Sequence, residues 1–525
     1  MRKSFIAALC MVAVCACILL CAGRPALASE QFLDGRLEIS GFAKETVYYR
    51  TSWDKGEEKY HDSRVDFANT SLYFESIYKL KESADMNITW FNGLRYWFEA
   101  SPSYDDKVHR YMAHDDIQKY QSPRKFEDIL TESYLSFVKG PWDMRVGKQI
   151  VIWGQLDMQR VADVVNPLDL RLGVPGVDNW EEIKKGLWMI RTSYQSSLPG
   201  NLIFENIINP GYFQQQYLPY EGTHWGPPHN QSAFNPKYDT DGIYHWQQSK
   251  WTRDAPNGWA TDNWELGFRI QGYTWDIDWS VLYWNAKSDN PIADANRAAD
   301  YGNNYALPNV VGLILDKPAY GKAWKGGDVF RFKRYQTFGG TAQTVIRPWH
   351  DSVWRLEWFY ALDSPGNLGT DAKSTGVYDR AKNDLLGVAI QWNDKFDIPW
   401  WTQAIGTGKF TDISITYYVE YIRNMHEDLI VDTGYNHRRD DPYTQTVSCF
   451  LKQEMFNTTW VFVLNANYNL MCQKWFVVPC FTYSFPGEHW RADIGAKFYG
   501  GAKNEYVGDG YAHKDSLLFR LRYEF

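Results

Sequence analysis

The sequence predicts an all-β protein, an antiparallel transmembrane β-barrel of about 18 strands, with 16 strands as the alternative count. Three observations predict it: an N-terminal stretch typical of secretion signals, an excess of aromatic residues, and apolar and polar residues that alternate along many segments. In membrane barrels, aromatic side chains mark both interfaces of the lipid-facing band, and apolar residues alternate with polar ones along each strand. We expect short periplasmic turns and long extracellular loops, because this asymmetry is typical of such barrels.

Residues 1–28 have the organisation of a signal peptide. Arg2 and Lys3 form a positive start, residues 5–22 are an unbroken apolar run, and the Ala-Leu-Ala of residues 26–28 provides a cleavage site. A membrane-spanning anchor is the alternative, since the run reaches the lower length limit for a transmembrane helix. The small-residue site favours cleavage, and residues 29–525 are then expected to form a single outer-membrane β-barrel domain.

The composition narrows the classes of protein. The 525 residues include 25 Trp, 35 Tyr and 28 Phe, together 17%. The net charge of −8 argues against a nucleic-acid surface, which needs clustered Lys and Arg. Outside residues 1–28 the cysteines are Cys449, Cys472 and Cys480, too few for a disulfide framework. Because no Cys/His array with zinc spacing and no C-x-x-C-H haem motif occurs, we expect no metal and no cofactor.

The last ten residues carry the clearest strand pattern. One face is apolar and the other is mostly charged; the apolar face holds Leu517, Phe519, Leu521, Tyr523 and Phe525. A final Phe with Tyr two residues earlier resembles the C-terminal signal by which bacterial outer-membrane barrels are recognised for assembly. This resemblance makes Leu521, Tyr523 and Phe525 candidate assembly-signal residues, and it makes the barrel assembly machinery an expected partner.

The same alternation recurs through the chain. It is found in residues 264–271, 275–283, 354–360, 413–421 and 490–498. Aromatic residues bracket aliphatic ones there, which fits an interface–hydrocarbon–interface profile better than the inner face of a soluble sandwich. Short connections such as 139–143 and 457–459 alternate with long ones such as 154–185 and 211–261. With both termini in the periplasm, this rhythm gives about 18 strands, and 16 competes because even numbers are the rule.

The polar positions of these strands are expected to face water, because a barrel of 16 to 18 strands is too wide for a packed core. Both signs of charge occur there, as in Arg95, Glu99, Arg269, Glu357 and Arg520. Mixed signs argue against a strongly ion-selective field. We therefore expect most of these side chains to form a solvated wall.

The 154–185 loop is the candidate functional element, because it is long and charged. Asn166 precedes Pro167, which sets a turn, and residues 178–181 have capping-box spacing for a short helix. We hypothesise that the loop folds inward and narrows the pore. Its candidate constriction residues are Asp157, Arg160, Asp163, Asp169 and Arg171. The alternative is an external loop whose charges are merely solvated.

Two motifs in and before this loop resemble those of a family of porin-like bacterial outer-membrane proteins labelled as a domain of unknown function. They are G-K-Q-x-x-x-W-G at 147–154 and D-V-V-N-P-L-D-L-R at 163–171. The resemblance implies an outer-membrane barrel and a solute channel, in a family associated with hydrophobic-compound uptake or envelope lipid traffic. The matching positions are Gly147, Gln149, Trp153, Gly154, Asn166, Pro167, Asp169 and Arg171.

We therefore predict a porin-like channel of the bacterial cell outer membrane for passive passage or uptake of small solutes, and not an enzyme. One alternative is the barrel of a trans-envelope complex, for lipid or hydrophobic-compound traffic or as an electron conduit. An outer-membrane hydrolase is less favoured, because the 11 His residues are scattered and no G-x-S-x-G motif accompanies them. Expected partners are outer-membrane lipid and lipopolysaccharide, the barrel assembly machinery and small solutes, with a homo-oligomer left open.

Overall fold

The computed structural model describes most of the chain, with gaps mainly in the long loops. The described residues are 30–52, 64–100, 121–173, 180–212, 259–289, 292–293, 330–347, 351–368, 380–397, 399–406, 410–425, 429–432, 437–438, 441–471, 473–487, 489–501 and 515–525. The expected signal peptide at residues 1–28 and most of the 211–261 loop lie outside them.

Within these residues, 18 antiparallel strands form one sheet that closes on itself. The strands are β1 Leu37–Arg50, β2 Val65–Lys81, β3 Asn87–Glu99, β4 Leu130–Lys139, β5 Trp142–Gln149, β6 Leu187–Gln195, β7 Ile203–Asn209, β8 Glu265–Thr274, β9 Ile277–Lys287, β10 Arg334–Ile346, β11 Ser352–Leu368, β12 Arg380–Phe396, β13 Thr411–Arg423, β14 Tyr443–Met455, β15 Trp460–Asn469, β16 Trp475–Ser484, β17 Trp490–Gly500 and β18 Ser516–Glu524. The predicted 18-stranded barrel is confirmed, and the alternative of 16 strands is not realised.

Closure comes from the pairing of the first and last strands. β1 and β18 run antiparallel, with Phe42 opposite Glu524 and Arg50 opposite Ser516. Beyond β18, the backbone of Phe525 exchanges two hydrogen bonds with Gly41, at 2.9 and 3.0 Å. Because every barrel strand has a partner on both sides, no long sheet edge is left exposed among the described residues.

Apolar residues cover the outer surface of the barrel, as the period of two predicts. On β9, for example, Val281 is 46% exposed, whereas its neighbour Leu282 is 4% exposed. The same alternation on β11 exposes Leu356 and buries Glu357. Since large apolar side chains point outward and their neighbours point inward, this surface suits the hydrocarbon core of a membrane.

The connections follow the predicted rhythm with local exceptions. Short turns such as 82–86 and 456–459 lie at one end of the barrel, and most long connections lie at the other. The short 470–474 turn breaks this rule at the long-loop end. Trp275 was predicted to start a strand, but Trp275 and Asp276 form the β8–β9 turn with φ of 55° and 60°. A two-residue hairpin turn of this kind needs positive φ at both positions, which overrides the aromatic alternation there.

Helices are few and short in the described residues. They are Phe126–Ile129, Trp180–Ile183 and Pro399–Ala404, with a 3-10 turn at Thr261–Asn263. Short strands outside the barrel set are Glu30–Phe32, Ile292–Ala293, Phe330–Arg331, Leu429–Asp432 and His437–Arg438. Across the described ranges, no helix combines the length and the apolar character required to cross a membrane.

Candidate functional site

The described parts of the connection between β5 and β6 lie inside the barrel. These parts, 150–173 and 180–186, contact inward-facing side chains of β11 to β14 on one side and of β1, β3 and β18 on the other. These two groups of strands belong to different sectors of an 18-stranded barrel. The β5–β6 connection therefore spans the lumen.

Asn166 holds the base of the connection together. Its side-chain oxygen accepts the N–H of Val151 at 2.7 Å, and its side-chain nitrogen donates to the carbonyls of Gln149 at 3.2 Å and Lys185 at 2.8 Å. The N–H of Lys185 in turn donates to the carbonyl of Pro167 at 2.9 Å. One fully buried amide thus ties the two ends of the connection to its middle.

Glu357 of β11 fixes the outgoing limb. Its Oε1 accepts the backbone N–H of Gln155 and, at 3.1 Å, that of Leu156, while its Oε2 accepts the N–H of Ala162 at 2.9 Å. Three backbone donors converge on one carboxylate that is 1% exposed. Hydrogen bonds to a charged acceptor are among the stronger ones, so this contact defines the bend at residues 155–162.

Asp157 contacts the wall beyond Glu357. Its carboxylate accepts hydrogen bonds from Gln391 at 2.6 Å, Asn393 at 3.2 Å and Ser414 at 3.3 Å, and it lies 3.4 Å from a guanidinium nitrogen of Arg355. The Asp157 side chain is nevertheless 44% exposed. It is therefore a wall contact that also faces open space.

The opposite end of the connection is held by Glu182, which follows Trp180 in the short helix. Its carboxylate contacts Lys44 of β1, Arg95 of β3 at 2.7 Å and Arg522 of β18 at 3.8 Å. Burial by itself would raise the pKa of Glu182, but the cations outweigh it and hold the pKa at about 2. Glu182 is therefore ionised over the whole physiological range.

An apolar cluster fastens the connection to the wall between these ends. Trp153 is 1% exposed, donates its indole N–H to Glu205 at 2.6 Å and packs edge-on to Trp284 with ring centroids 6.0 Å apart. The cluster comprises Val151, Trp153, Ala162, Val165, Leu187, Met189, Ile207, Leu282, Trp284 and Ala286. Burying several such side chains contributes roughly 1.5–3 kcal/mol each to docking. The wall beneath the connection is therefore packed against it, where the sequence predicted a solvated wall.

A model of the family described as "Protein of unknown function (DUF1302)" matches residues 10–525. The chain belongs to this family. A search of curated proteins found no match for this DUF1302 chain.

Solved barrels resemble the DUF1302 chain only remotely. A BenF-like porin from Pseudomonas fluorescens Pf-5 is 6% identical, with 93% of this chain and 98% of that one covered and a TM-score of 0.48. OccAB1 of Acinetobacter baumannii is 7% identical, with coverages of 96% and 99% and a TM-score of 0.48. OmpF of Salmonella typhi, in a complex with daunomycin, is 11% identical, with coverages of 95% and 100% and a TM-score of 0.42. The fold assignment rests on the strand pairing of the chain itself.

The five predicted constriction residues occupy different environments in the DUF1302 protein. Asp163 pairs with Lys184 at 2.5 Å, and Asp169 pairs with Arg171 at 2.5 Å. Arg160 donates to the carbonyls of Asp163 and Asn166. Asp163, Asp169, Arg160 and Arg171 hold the connection in shape, whereas Asp157 faces open space. The effect of all five residues on the passage of solutes stays a prediction.

The pKa of Asp169 agrees with a structural role for the Asp169–Arg171 pair. Burial alone would raise the pKa of Asp169, but the Arg171 guanidinium beside it outweighs burial and lowers that pKa. The same guanidinium lies over the Trp97 ring of β3, 5.2 Å from its centroid. Asp169 and Arg171 thus link the connection to the β3 wall.

The remaining motif positions allow close packing, Gly147 between strands β4 and β5 and Gly154 within the connection. A side chain at Gly147 would lie 2.2 Å from the carbonyl of Ser133, and one at Gly154 would lie 3.0 Å from the Cβ of Asp163. The side chain of Gln149 donates to the carbonyl of Met189 at 3.1 Å. Together with Trp153, Asn166 and Pro167, Gln149 and Gly154 give the two sequence motifs a physical meaning: these residues shape the connection and hold it against the wall.

Sequence reasoning missed the wall partners of the connection. Glu357 and Lys44 lie 195 and 138 residues from their contacts, and no local pattern links them. A signal for the apolar docking surface did exist, because the segments 187–190 and 281–284 are apolar on both faces of their strands. Such a segment in a water-filled barrel indicates that something covers the inner face.

In the described ranges, no cluster of three His, Cys, Asp or Glu side chains is arranged to hold a metal ion. The short helix predicted from residues 178–181 is present as Trp180–Ile183, but its expected cap, Asp178, lies outside the described residues. In the C-terminal strand, Leu521 points outward, while Tyr523 packs on Trp490 at 4.9 Å between ring centroids.

Proposed function

We propose that the protein is a porin-like channel of the bacterial outer membrane through which small solutes pass. The observation that carries the proposal is the β5–β6 connection, which crosses the lumen between Glu357 on one side and Lys44 and Arg95 on the other. A closed barrel with an apolar outer surface suits a membrane, and an internal segment anchored by charges divides its lumen into a narrower passage.

We propose the following processing and partners for the chain. Residues 1–28 act as a cleaved signal peptide, which delivers the barrel of residues 29–525 to the envelope. The barrel assembly machinery recognises Leu521, Tyr523 and Phe525, and the apolar outer surface contacts outer-membrane lipid and lipopolysaccharide. Small solutes are the cargo, and the fold itself requires no catalytic step.

Ion currents in planar lipid bilayers test the channel. The purified full-length protein is expected to give discrete single-channel steps. Asp157→Asn removes the exposed charge beside Arg355 and should shift the ion preference with little change in step size. The double variant Arg160→Ala, Asp163→Ala loosens the connection and should give larger and noisier steps.

Glu127→Gln is the matched control, because Glu127 pairs with Lys148 at 3.1 Å away from the lumen-crossing contacts. This variant should conduct like the original protein. Folding of every variant is checked by heat-modifiable migration on gels. Absence of steps from folded, unmodified protein would contradict the proposal.

A further inference from the structure

The carboxylate of Glu182 sits in a group of cations supplied by the barrel wall. Lys44 and Arg95 contact its Oε2, and Arg522 lies 3.8 Å from its Oε1. Arg95 also donates a second guanidinium N–H to the backbone carbonyl of Glu182. The Lys44 and Arg95 side chains are only 10% and 9% exposed, so both charges are largely removed from water.

Positive charge exceeds negative charge at this place. Arg522 already has a carboxylate partner in Glu524 at 2.8 Å, but within the described residues Lys44 and Arg95 share the single carboxylate of Glu182. Among those same residues, the Nε of Arg95 is buried without a hydrogen-bond acceptor. Two buried cations that share one anion favour any further anionic oxygen that can reach them.

The wall beside these cations is aromatic. The Arg522 guanidinium lies 4.1 Å and the Lys44 ammonium 5.5 Å from the ring centroid of Phe42. Phe42 stacks on Tyr73 at 5.3 Å. A small organic anion would therefore find cations for its charged end and ring faces for its apolar part.

The cations belong to β1, β3 and β18, whereas Glu182 belongs to the β5–β6 connection. The wall therefore presents its positive charges independently, and the connection brings the anion to them. We propose that this part of the wall is a binding site for carboxylate-bearing solutes, which Glu182 occupies as an internal ligand. The inference deepens the channel function proposed above, because such a solute would compete with the connection for the wall and favour its release.

A carboxylate is favoured over other anions because Glu182 itself demonstrates the fit. The planar guanidinium of Arg95 holds both the carboxylate and a carbonyl, a geometry that suits planar oxygen pairs. An internal ligand lowers the apparent affinity for a solute by the fraction of time that it occupies the site. Removing it should therefore strengthen solute binding by at least about tenfold.

Calorimetric titration of the full-length protein in detergent with propionate, which has the length of a Glu side chain, tests the site. Glu182→Ala should bind propionate at least about tenfold more tightly than the original protein. Adding Lys44→Gln to Glu182→Ala should abolish this gain, and Arg95→Gln should do the same. Glu127→Ala, which removes a carboxylate from a lysine outside this group, should leave binding unchanged.

Equal propionate affinity with and without Glu182 would overturn the inference, as would a gain that survives loss of both cations. Tighter binding of inorganic phosphate than of propionate would overturn the assignment to carboxylates. Currents in planar lipid bilayers distinguish a failure of the binding site from a failure of the proposed channel. Propionate binding without currents refutes the channel and keeps the site, whereas currents without propionate binding refute the site alone.

Discussion

Asn166 shows how one buried side chain can organise a long connection. Its amide supplies one acceptor and two donors to backbone groups of residues 149, 151 and 185. Asx side chains satisfy backbone groups in this way because they are short and carry both kinds of hydrogen-bonding atom. The Asn-Pro pair, which the sequence presents as a simple turn signal, therefore also closes the base of the connection.

Asn166→Ala should loosen this base without unfolding the barrel. It leaves a buried N–H and two buried carbonyls without partners, at a cost on the order of 3 kcal/mol. We expect the amide of Val151 to exchange its hydrogen about 100-fold faster, as measured by hydrogen exchange with mass spectrometry. Ile152→Ala, at an exposed neighbouring position, should leave exchange unchanged. Undiminished protection of Val151 in Asn166→Ala would contradict the role given to the amide.

At the scale of elements, the β5–β6 connection combines an apolar middle with charged ends. The apolar cluster around Trp153 is insensitive to pH, but the contact of Glu182 with Lys44 and Arg95 requires an ionised carboxylate. The two means of attachment therefore respond differently to acid. The Glu182 end should therefore loosen as protons are added.

The pH dependence of that end follows from the pKa of Glu182, which is about 2 when the connection is docked, against 4.5 for an unperturbed glutamate side chain. A lowered carboxyl pKa stabilises docking fully above about pH 4.5, and this contribution is lost as the pH falls toward 2. Single-channel currents should therefore become larger or noisier as the pH falls from about 4.5 toward 2. Glu182→Gln should remove this dependence; a transition that persists in that variant would assign it to another group.

The elements differ in how far the sequence predicts them. Strands such as β11 and β18 follow from alternation alone, because lipid on one side and water on the other impose a period of two. The docking of the connection could not be predicted from local patterns, because its wall partners, such as Glu357 and Lys44, come from distant strands. The apolar side chains of β9 at Leu282 and Trp284 can be read from the sequence. The sequence does not say which segment packs against them, and the structure shows that it is the β5–β6 connection.

At the scale of the whole molecule, Phe525 extends the seam at which the sheet closes. Phe525 exchanges both backbone hydrogen bonds with Gly41, and its ring would be 2.7 Å from any Cβ added there. The same Cβ would lie 2.3 Å from the backbone carbonyl of Tyr73 in β2, so a glycine at position 41 allows close packing beside the seam. The C-terminal residue serves the barrel seam as well as its expected role as an assembly signal.

Deleting Phe525 should lower the yield of folded barrel in outer-membrane fractions several-fold, because it removes the seam contacts and the terminal aromatic. The measurement is the heat-modifiable fraction on gels of isolated membranes. Leu517→Ala changes an exposed residue on the same face of β18, far from the seam's end, and should assemble normally. Equal folded yields for the deletion and the control would show that neither closure of the seam nor recognition for assembly depends on Phe525.

The wide sequence spacing of the contacts made by the β5–β6 connection has a kinetic consequence. Its anchors include Lys44 in the first strand and Arg522 in the last, so full docking must wait until the entire chain has been threaded into the membrane and the ring has joined. Until then the connection lacks its complete set of contacts with the wall. Burial of the Trp153 and Trp284 indoles does not depend on Lys44 or Arg522, so fluorescence during refolding should report it before the connection is fully docked.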